Sequence, residues 1–347
     1  MEIQLSFEHP IYELESRLEQ MEKSAGDSVE VRESIQTLRR EVAELKRKIY
    51  ANLQPWETVE VSRHPNRPQT SDYLHFAFDE FVELHGDHFY GDDRAILTGW
   101  AKLDGIPVMV VGHQKGKNLN ERKACHYGCA HPEGYRKAIL KMKMAAKYHL
   151  PVICLIDTPG AWPGIGAEER GQAFVIAQGM YEMSRLGTPI ICVVIGEGGS
   201  GGAIGIGVGD RVAILEHAYY SVISPEGCAG ILWKSREFRR EAANELRLTS
   251  RDLHRLGVVD AVIPEPLGGA HRDPRLMAGN LKKYLRTSLR ELQKLSIDQI
   301  LEERYEKFRK IGVFHEQLEK TLATCPNPSV PAAQEGSSSF PIEKTIL

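Results

Sequence analysis

The sequence predicts an α/β protein with a largely parallel sheet, preceded by a helical arm. Continuous apolar runs, 152–156 and 190–195 above all, read as strands buried on both faces. Helical segments stand between such runs at short spacing, the alternation that brings strands together in parallel. Ahead of them, residues 10–50 repeat their apolar side chains every three or four positions, as helices do.

In chain order, Ile11, Leu14, Leu18 and Met21 make one helical stripe, and the chain breaks at Ala25-Gly26. Asp27 then caps a second helix, with Val31, Ile35, Leu38, Val42, Leu45 and Ile49 spaced as a heptad seam. The seam fits either a hairpin folded onto its own body or an arm gripping another subunit. Its narrowness favours the arm, residues 1–53. Residues 54–68 read as a linker punctuated by Pro and Arg, and 71–85 as a helix. Asp104-Gly105 between the apolar runs 95–103 and 106–112 signals a hairpin. A long basic loop, 113–130, follows, then a helix over 132–149 with Lys137, Lys141 and Lys147 available for solvent. A helix over 168–186, strands at 211–215, 219–223 and 258–263, and helices at 249–256, 275–293 and 297–311 complete the body. The main domain is thus 54–323. Residues 324–347 are rich in Pro, Ser and Ala, and a disordered tail is expected there.

Composition narrows the function. With 42% apolar and 26% charged residues, the chain is an ordinary soluble protein. A net charge of -3 gives neither nucleic acid nor an anionic membrane a reason to bind. No apolar run is long enough to span a bilayer, and the acidic start lacks a signal pattern, so a cytoplasmic location is expected. Cys125-x-x-x-Cys129 with His126 and His131 invites a zinc reading. A structural site needs a second ligand pair, which is missing, so no metal is expected.

The most informative stretch is 196–210, in which eight of fifteen residues are glycine. It follows a buried strand, and Ser200 suits the cap of a short helix starting near Gly201. Three chemistries use such a strand, turn and helix. Gly196-x-Gly198-x-x-Gly201, with Glu216 downstream, matches a dinucleotide fingerprint, although the following segment is too short and glycine-rich for a crossover helix. Gly198-x-Ser200-x-Gly202 matches a nucleophile elbow, with Asp252 or Asp260 and His254 or His271 as partners. The third is an oxyanion hole made of main-chain N–H groups, which uses the excess of glycine best. A plain packing turn remains the structural alternative. Two further motifs are weaker. Gly112-x-x-x-Gly116-Lys117 narrowly misses a phosphate-binding loop, and Asp157-Thr-Pro-Gly160 is like a nucleotide-hydrolase switch without one upstream. The loop 161–166, apolar and tightly turned, suits a pocket wall for a flat ring.

Taken together, Gly112-His-Gln-Lys-Gly116, Pro132-Glu-Gly-Tyr-Arg-Lys137, Asp157-Thr-Pro-Gly-Ala161, Ala167-Glu-Glu-Arg-Gly-Gln172, Gly196-Glu-Gly-Gly-Ser-Gly-Gly202 and Ser221-Val-Ile-Ser-Pro-Glu-Gly-Cys228 carry a resemblance. So do Ile231-Leu-Trp-Lys234 and Glu265-Pro-Leu-Gly-Gly-Ala-His271. The chain resembles the carboxyltransferase alpha subunits of bacterial acetyl-CoA carboxylase over about residues 10–320. The resemblance implies a crotonase-like ββα superhelix and an alpha2beta2 assembly. It implies transfer of carboxylate from carboxybiotin, held on a biotin carboxyl carrier protein beside biotin carboxylase, to acetyl-CoA, giving malonyl-CoA for fatty acid synthesis. The beta subunit would supply most of the acyl-CoA side and a four-cysteine zinc site. On this chain, N–H groups near Gly201 and Gly202 would receive negative charge from the biotin ureido oxygen. Gly160, Ala161 and Gly164 would wall the biotin slot, with Ser200, Glu197 and Asp157 in support. One departure stands out: 123–129 reads Lys-Ala-Cys-His-Tyr-Gly-Cys, where the family more often shows an Arg-Arg-Asn-Phe-Gly-Met run.

Overall fold

The computed structural model describes residues 4–24 and 29–312, so the Asp27 cap and the tail after 323 lie outside the described residues. Helices α1 (His9–Ser24) and α2 (Val29–Ala51) form where the apolar periodicity places them. Leu38 and Val42 of the seam are buried within the chain itself, and Ile11, Tyr50 and Val61 share a small apolar cluster. Charged contacts fasten the pair to the body. Arg272 reaches Glu15 at 3.0 Å and Glu8 at 3.1 Å, while Tyr50 donates to Glu8 at 2.7 Å.

The expected linker instead contains helix α3 (Pro55–Ser62), begun by a reciprocal cap between Gln54 and Glu57 with Pro55 in the first turn. The helix expected over 71–85 is shorter, α4 (Thr70–Ala77), because Phe78 turns extended and the chain continues as strand β1 (Glu80–Glu83). That strand pairs antiparallel with β2 (Ile96–Leu103), setting Phe81 opposite Ala101. The hairpin from β2 to β3 (Ile106–His113) forms as expected, with Asp104 and Gly105 both at positive φ, 49° and 78°.

The loop beyond carries a short helix, α5 (Leu119–Ala124), then α6 (Pro132–Lys147) and β4 (Val152–Thr158). Lys137 and Lys141 are buried rather than solvated. Lys137 Nζ donates to Asp92 at 2.6 Å and to the Asp93 carbonyl at 2.8 Å, so its charge is neutralised where it lies. The single helix expected over 168–186 is two, α7 (Ile165–Glu169) and α8 (Gln172–Ser184), broken where Gly171 takes φ 80°.

The central strand β5 (Ile190–Gly199) is buried along all ten residues. It leads into α9 (Ser200–Ile204), then β6 (Arg211–Leu215) and β7 (Tyr219–Ser221). Helices α10 (Pro225–Leu232) and α11 (Arg239–Leu246) fill a segment for which the periodicity gave no element. The chain closes with α12 (Ser250–Arg255), β8 (Ala261–Ile263), α13 (Pro274–Leu292) and α14 (Ile297–Arg309).

The sheet runs β1-β2-β3-β4-β5-β6-β8, antiparallel up to β3 and parallel beyond it. Because β5 outruns its neighbours, its first half pairs with β6 and its far end with β7. From α14, Arg304 reaches into this core. Its guanidinium donates to Asp210 at 2.7 and 2.9 Å and to the carbonyls of Met183, Leu186 and Thr188 at 2.6–2.9 Å. A fully buried arginine is tolerable only because each donating nitrogen has an acceptor. Among the described residues, no helix is long and apolar enough to cross a membrane.

Candidate active site

The ends of β4 and β5 meet at one edge of the sheet. After a register shift past Ile156, Thr158 pairs with Gly198, so the turn after β4 lies against the end of β5. The glycines of β5 are explained largely by this crowding. A Cβ on Gly199 would strike the Pro159 carbonyl, and one on Gly202 would stand 2.6 Å from Gly160 C and 2.7 Å from Ala161 N. What the bare backbone approaches at these positions is therefore the chain's own backbone. The packing-turn alternative accounts for them.

Two features survive that explanation. A Cβ on Gly201 would touch Ile176 only at an ordinary 3.5 Å, so packing alone does not demand glycine there. Gly201 and Gly202 also occupy the second and third positions of α9, where N–H groups have no intrahelical acceptor. Gly201 lines an apolar cleft of about 440 Å³ with Tyr220, Val222, Leu253 and Val258 among its walls. Gly160, Ala161 and Gly164 are half-buried in the adjoining turn. The structure thus brings Gly160 and Ala161 against Gly202. Gly164 begins α7 beside Trp162.

Ser200 does not cap α9. The cap position is Gly199, and Ser200 is the first helical residue, exposed and at φ 46°. No histidine or aspartate hydrogen-bonds to its hydroxyl among the described residues. Asp252 is engaged by Thr249 and Arg255, and Asp260 by Val212 N–H and Lys307. His271 is buried with its ring 4.0 Å from that of His64. Glu216 is engaged elsewhere, accepting from the Glu265 N–H at 3.1 Å. The basic loop is no phosphate cradle either, since Gly116 N–H donates to Gln69 and Lys117 N–H to Glu121. Cys154 and Cys192 are buried as small hydrophobes.

Beside the glycine bend lies a network that the sequence conceals. Lys115 Nζ sits 2.6 Å from Asp157 and 2.7 Å from Glu197. Glu197 also accepts from Arg63 at 2.7 Å and from the Tyr219 hydroxyl at 2.8 Å, and Arg63 continues to Glu226 at 2.5 Å. Asp157 accepts the Glu197 N–H at 2.9 Å. Burial alone would raise the Glu197 carboxyl, but Lys115 and Arg63 outweigh it and lower it to about 2. At Asp157 burial prevails and raises the carboxyl, despite Lys115. Lys115 is held above its ordinary value, burial being overcome by the two carboxylates. The network floors a cleft of about 250 Å³. Asp157 and Glu197 were visible as polar residues near glycine motifs. Arg63, Tyr219 and Glu226 come from distant segments with no local signal.

A mixed sheet with this bend at its strand ends is a fold the chain shares with solved carboxylase and transcarboxylase structures. The chain aligns with transcarboxylase 12S, solved with methylmalonyl-coenzyme A and methylmalonic acid bound, at a TM-score of 0.54 and 19% identity, covering 66% of this chain and 42% of that one. With the beta subunit of P. aeruginosa geranyl-CoA carboxylase the TM-score is 0.51 at 15% identity, over 70% and 45% of the two chains. These likenesses concern the fold, and the chain spans less than half of either larger protein. The particular family comes from sequence. A family model described as acetyl co-enzyme A carboxylase carboxyltransferase-like matches residues 4–312, and the chain belongs to that family. The acetyl-coenzyme A carboxylase carboxyl transferase subunit alpha of Rhodopirellula baltica is 65% identical over 90% of this chain and 98% of its own length. That of Geobacter metallireducens is 52% identical over the same shares. Both the family and the crotonase-like fold implied by the sequence motifs are borne out.

Proposed function

We propose that this chain, with a beta subunit, transfers carboxylate from carboxybiotin on a biotin carboxyl carrier protein to acetyl-CoA, giving malonyl-CoA in the cytoplasm. The observation that carries this reading is the placement of Gly201 and Gly202. Gly201 lines the apolar cleft, Gly202 lies behind it against the Gly160–Ala161 turn, and the N–H groups of both lack an intrahelical acceptor. A flat ureido ring needs that combination: apolar walls for the ring and donors for its oxygen. The residues present fit the group.

When bound, carboxybiotin supplies the activated carboxylate. The chain's own part is to hold that ring against Gly160, Ala161 and Gly164 and to donate from Gly201 and Gly202 to the oxygen on which negative charge grows. Fixed donors at a helix start cost no reorganisation as the charge appears. No side-chain base is needed on this chain, and the buried carboxylates are already committed to Lys115 and Arg63. Their task is to hold β5 against the turn after β4.

A partner surface is consistent with the exposed apolar side chains that follow the bend on both sides. Ile165 and Phe174 lie beyond the Gly160–Gly164 turn, and Val222, Ile231 and Leu232 beyond β7. The outer face of the α1–α2 hairpin is the second candidate for that contact. Purified alone, the chain should form little malonyl-CoA from carboxybiotin and acetyl-CoA, and adding the beta subunit should restore formation. Full turnover without a partner overturns the shared site.

A further inference from the structure

We propose that Asp93, His126 and His131 form a binding site for one divalent transition-metal ion, with Zn²⁺ as the probe. The expectation of no metal rested on the missing second ligand pair near Cys125 and Cys129. The fold supplies a ligand from elsewhere. Asp93, on the approach to β2, lies beside both histidines. The ligating atoms of the three side chains all fall within 4.8 Å of one another, and among the described residues no other group of His, Cys, Asp and Glu converges so closely.

The spacing suits coordination better than hydrogen bonding. His126 Nδ1 is 3.4 Å from Asp93 Oδ1, and His131 Nδ1 is 3.9 Å from Asp93 Oδ2. Both Nδ1 atoms are buried without a hydrogen bond of acceptable geometry. Two ligands on one tetrahedral ion, each bonded at about 2.0–2.1 Å, stand about 3.3 Å apart. Two imidazoles and a carboxylate are a borderline-soft set suited to zinc and its neighbours, and three protein ligands leave a position for water.

A supporting shell is in place. The Asp93 carboxylate accepts from Ala95 N–H at 2.8 Å and from His131 N–H at 2.6 Å, which fixes its direction. The Asp93 side chain is 1% exposed and that of His126 35%, so the site has a closed floor and an open entry. His126 and Tyr127 both hold positive φ, 48° and 55°, an unfavourable backbone that carries the His126 ring to Asp93.

The same residues touch the turn beside the glycine bend. The His131 ring stacks on Trp162, centroids 5.1 Å apart at 21°, and Trp162 N–H donates to the Ala130 carbonyl at 3.0 Å. An ion at this point therefore ties loop 125–131 to the Gly160–Gly164 turn. The site is independent of the carboxyl-transfer reading, since it rests on these three side chains alone.

The test is equilibrium dialysis of the metal-stripped full chain against Zn²⁺, with tryptophan fluorescence followed on adding Ni²⁺. The expected result is one Zn²⁺ per chain and saturable quenching at the same stoichiometry. His126→Asn keeps a residue that accepts positive φ, so folding is preserved, and it should weaken binding at least about tenfold. Cys125→Ser/Cys129→Ser should bind like the parent. No saturable binding by the parent overturns the site, as does undiminished binding by His126→Asn or loss confined to the cysteine variant.

Discussion

The ends of β4 and β5 carry two neighbouring regions made from different parts of the polypeptide. The glycine bend works with main-chain groups, and its side chains are absent so that backbones can touch. The network beside it works with side chains, five of them ionisable, drawn from residues 63, 115, 157, 197 and 226. One region is the proposed ligand contact and is partly open. The other is largely buried at the floor of its own cleft, and its charges pair with one another. The lesson is a division of labour: a donor array for a transient charge must stay unpaired, so neighbouring charges must be fully paired to keep it in place.

The sharpest way to break this comparison is to unbalance the network. Lys115→Met leaves Asp157 and Glu197 as adjacent buried carboxylates without their shared cation. Losing one partner of a buried ionic group costs about 3–5 kcal/mol, to be read by urea denaturation at pH 7. The sign of the pH dependence follows. Without the cation the Asp157 carboxyl rises further above its unfolded value while Glu197 keeps only Arg63, so the folded variant binds more protons than the parent and its deficit grows as pH rises. The deficit should therefore shrink between pH 7 and pH 5. An equal deficit at both pH values counts against carboxylate repulsion.

Next in size is the bend. Gly202→Val is a poor probe, since its side chain would strike the Gly160–Ala161 backbone whatever the chemistry. Replacing the Gly201 peptide N–H by an ester oxygen removes a donor without adding bulk. Turnover of the assembled enzyme should fall on the order of 10²–10³-fold with folding retained. Unchanged turnover would take Gly201 out of the site.

Smallest is Ser200→Ala, which should change turnover less than about tenfold, since an exposed hydroxyl with no base falls well short of the roughly 10²–10⁴ of a positioned acid–base partner. Abolished activity would restore the nucleophile reading and erase the contrast between the regions.

These expectations also show where sequence ceases to be informative. The buried strands were legible because apolar runs such as 190–195 report their own environment. The β2–β3 hairpin was legible because Asp104-Gly105 specifies its turn. Helix α3 was not, since its capping residues, Gln54 and Glu57, are weak local signals beside Pro and Arg. The end of α4 was set by pairing with β2, which no window over 71–85 contains. At the site, the glycine bend stood out because its pattern is contiguous. Arg63 reaches Glu197 across 134 residues and Glu226 across 163, so that network exists only in three dimensions. The Asp93 side chain was missed beside His126 and His131 for the same reason. Lys137 and Lys141 were misassigned because helical periodicity cannot reveal an acidic partner across the fold.

The burial of Arg304 has a consequence for the core. Asp210 ends the turn into β6, and its cation arrives from 94 residues further along the chain. Without α14, the middle of the sheet would hold a carboxylate lacking its counter-charge. The carbonyls of Met183, Leu186 and Thr188 likewise await their donor. Docking of α14 is therefore coupled to burial of the sheet's centre, because Arg304 supplies the donors that Asp210 and these three carbonyls require.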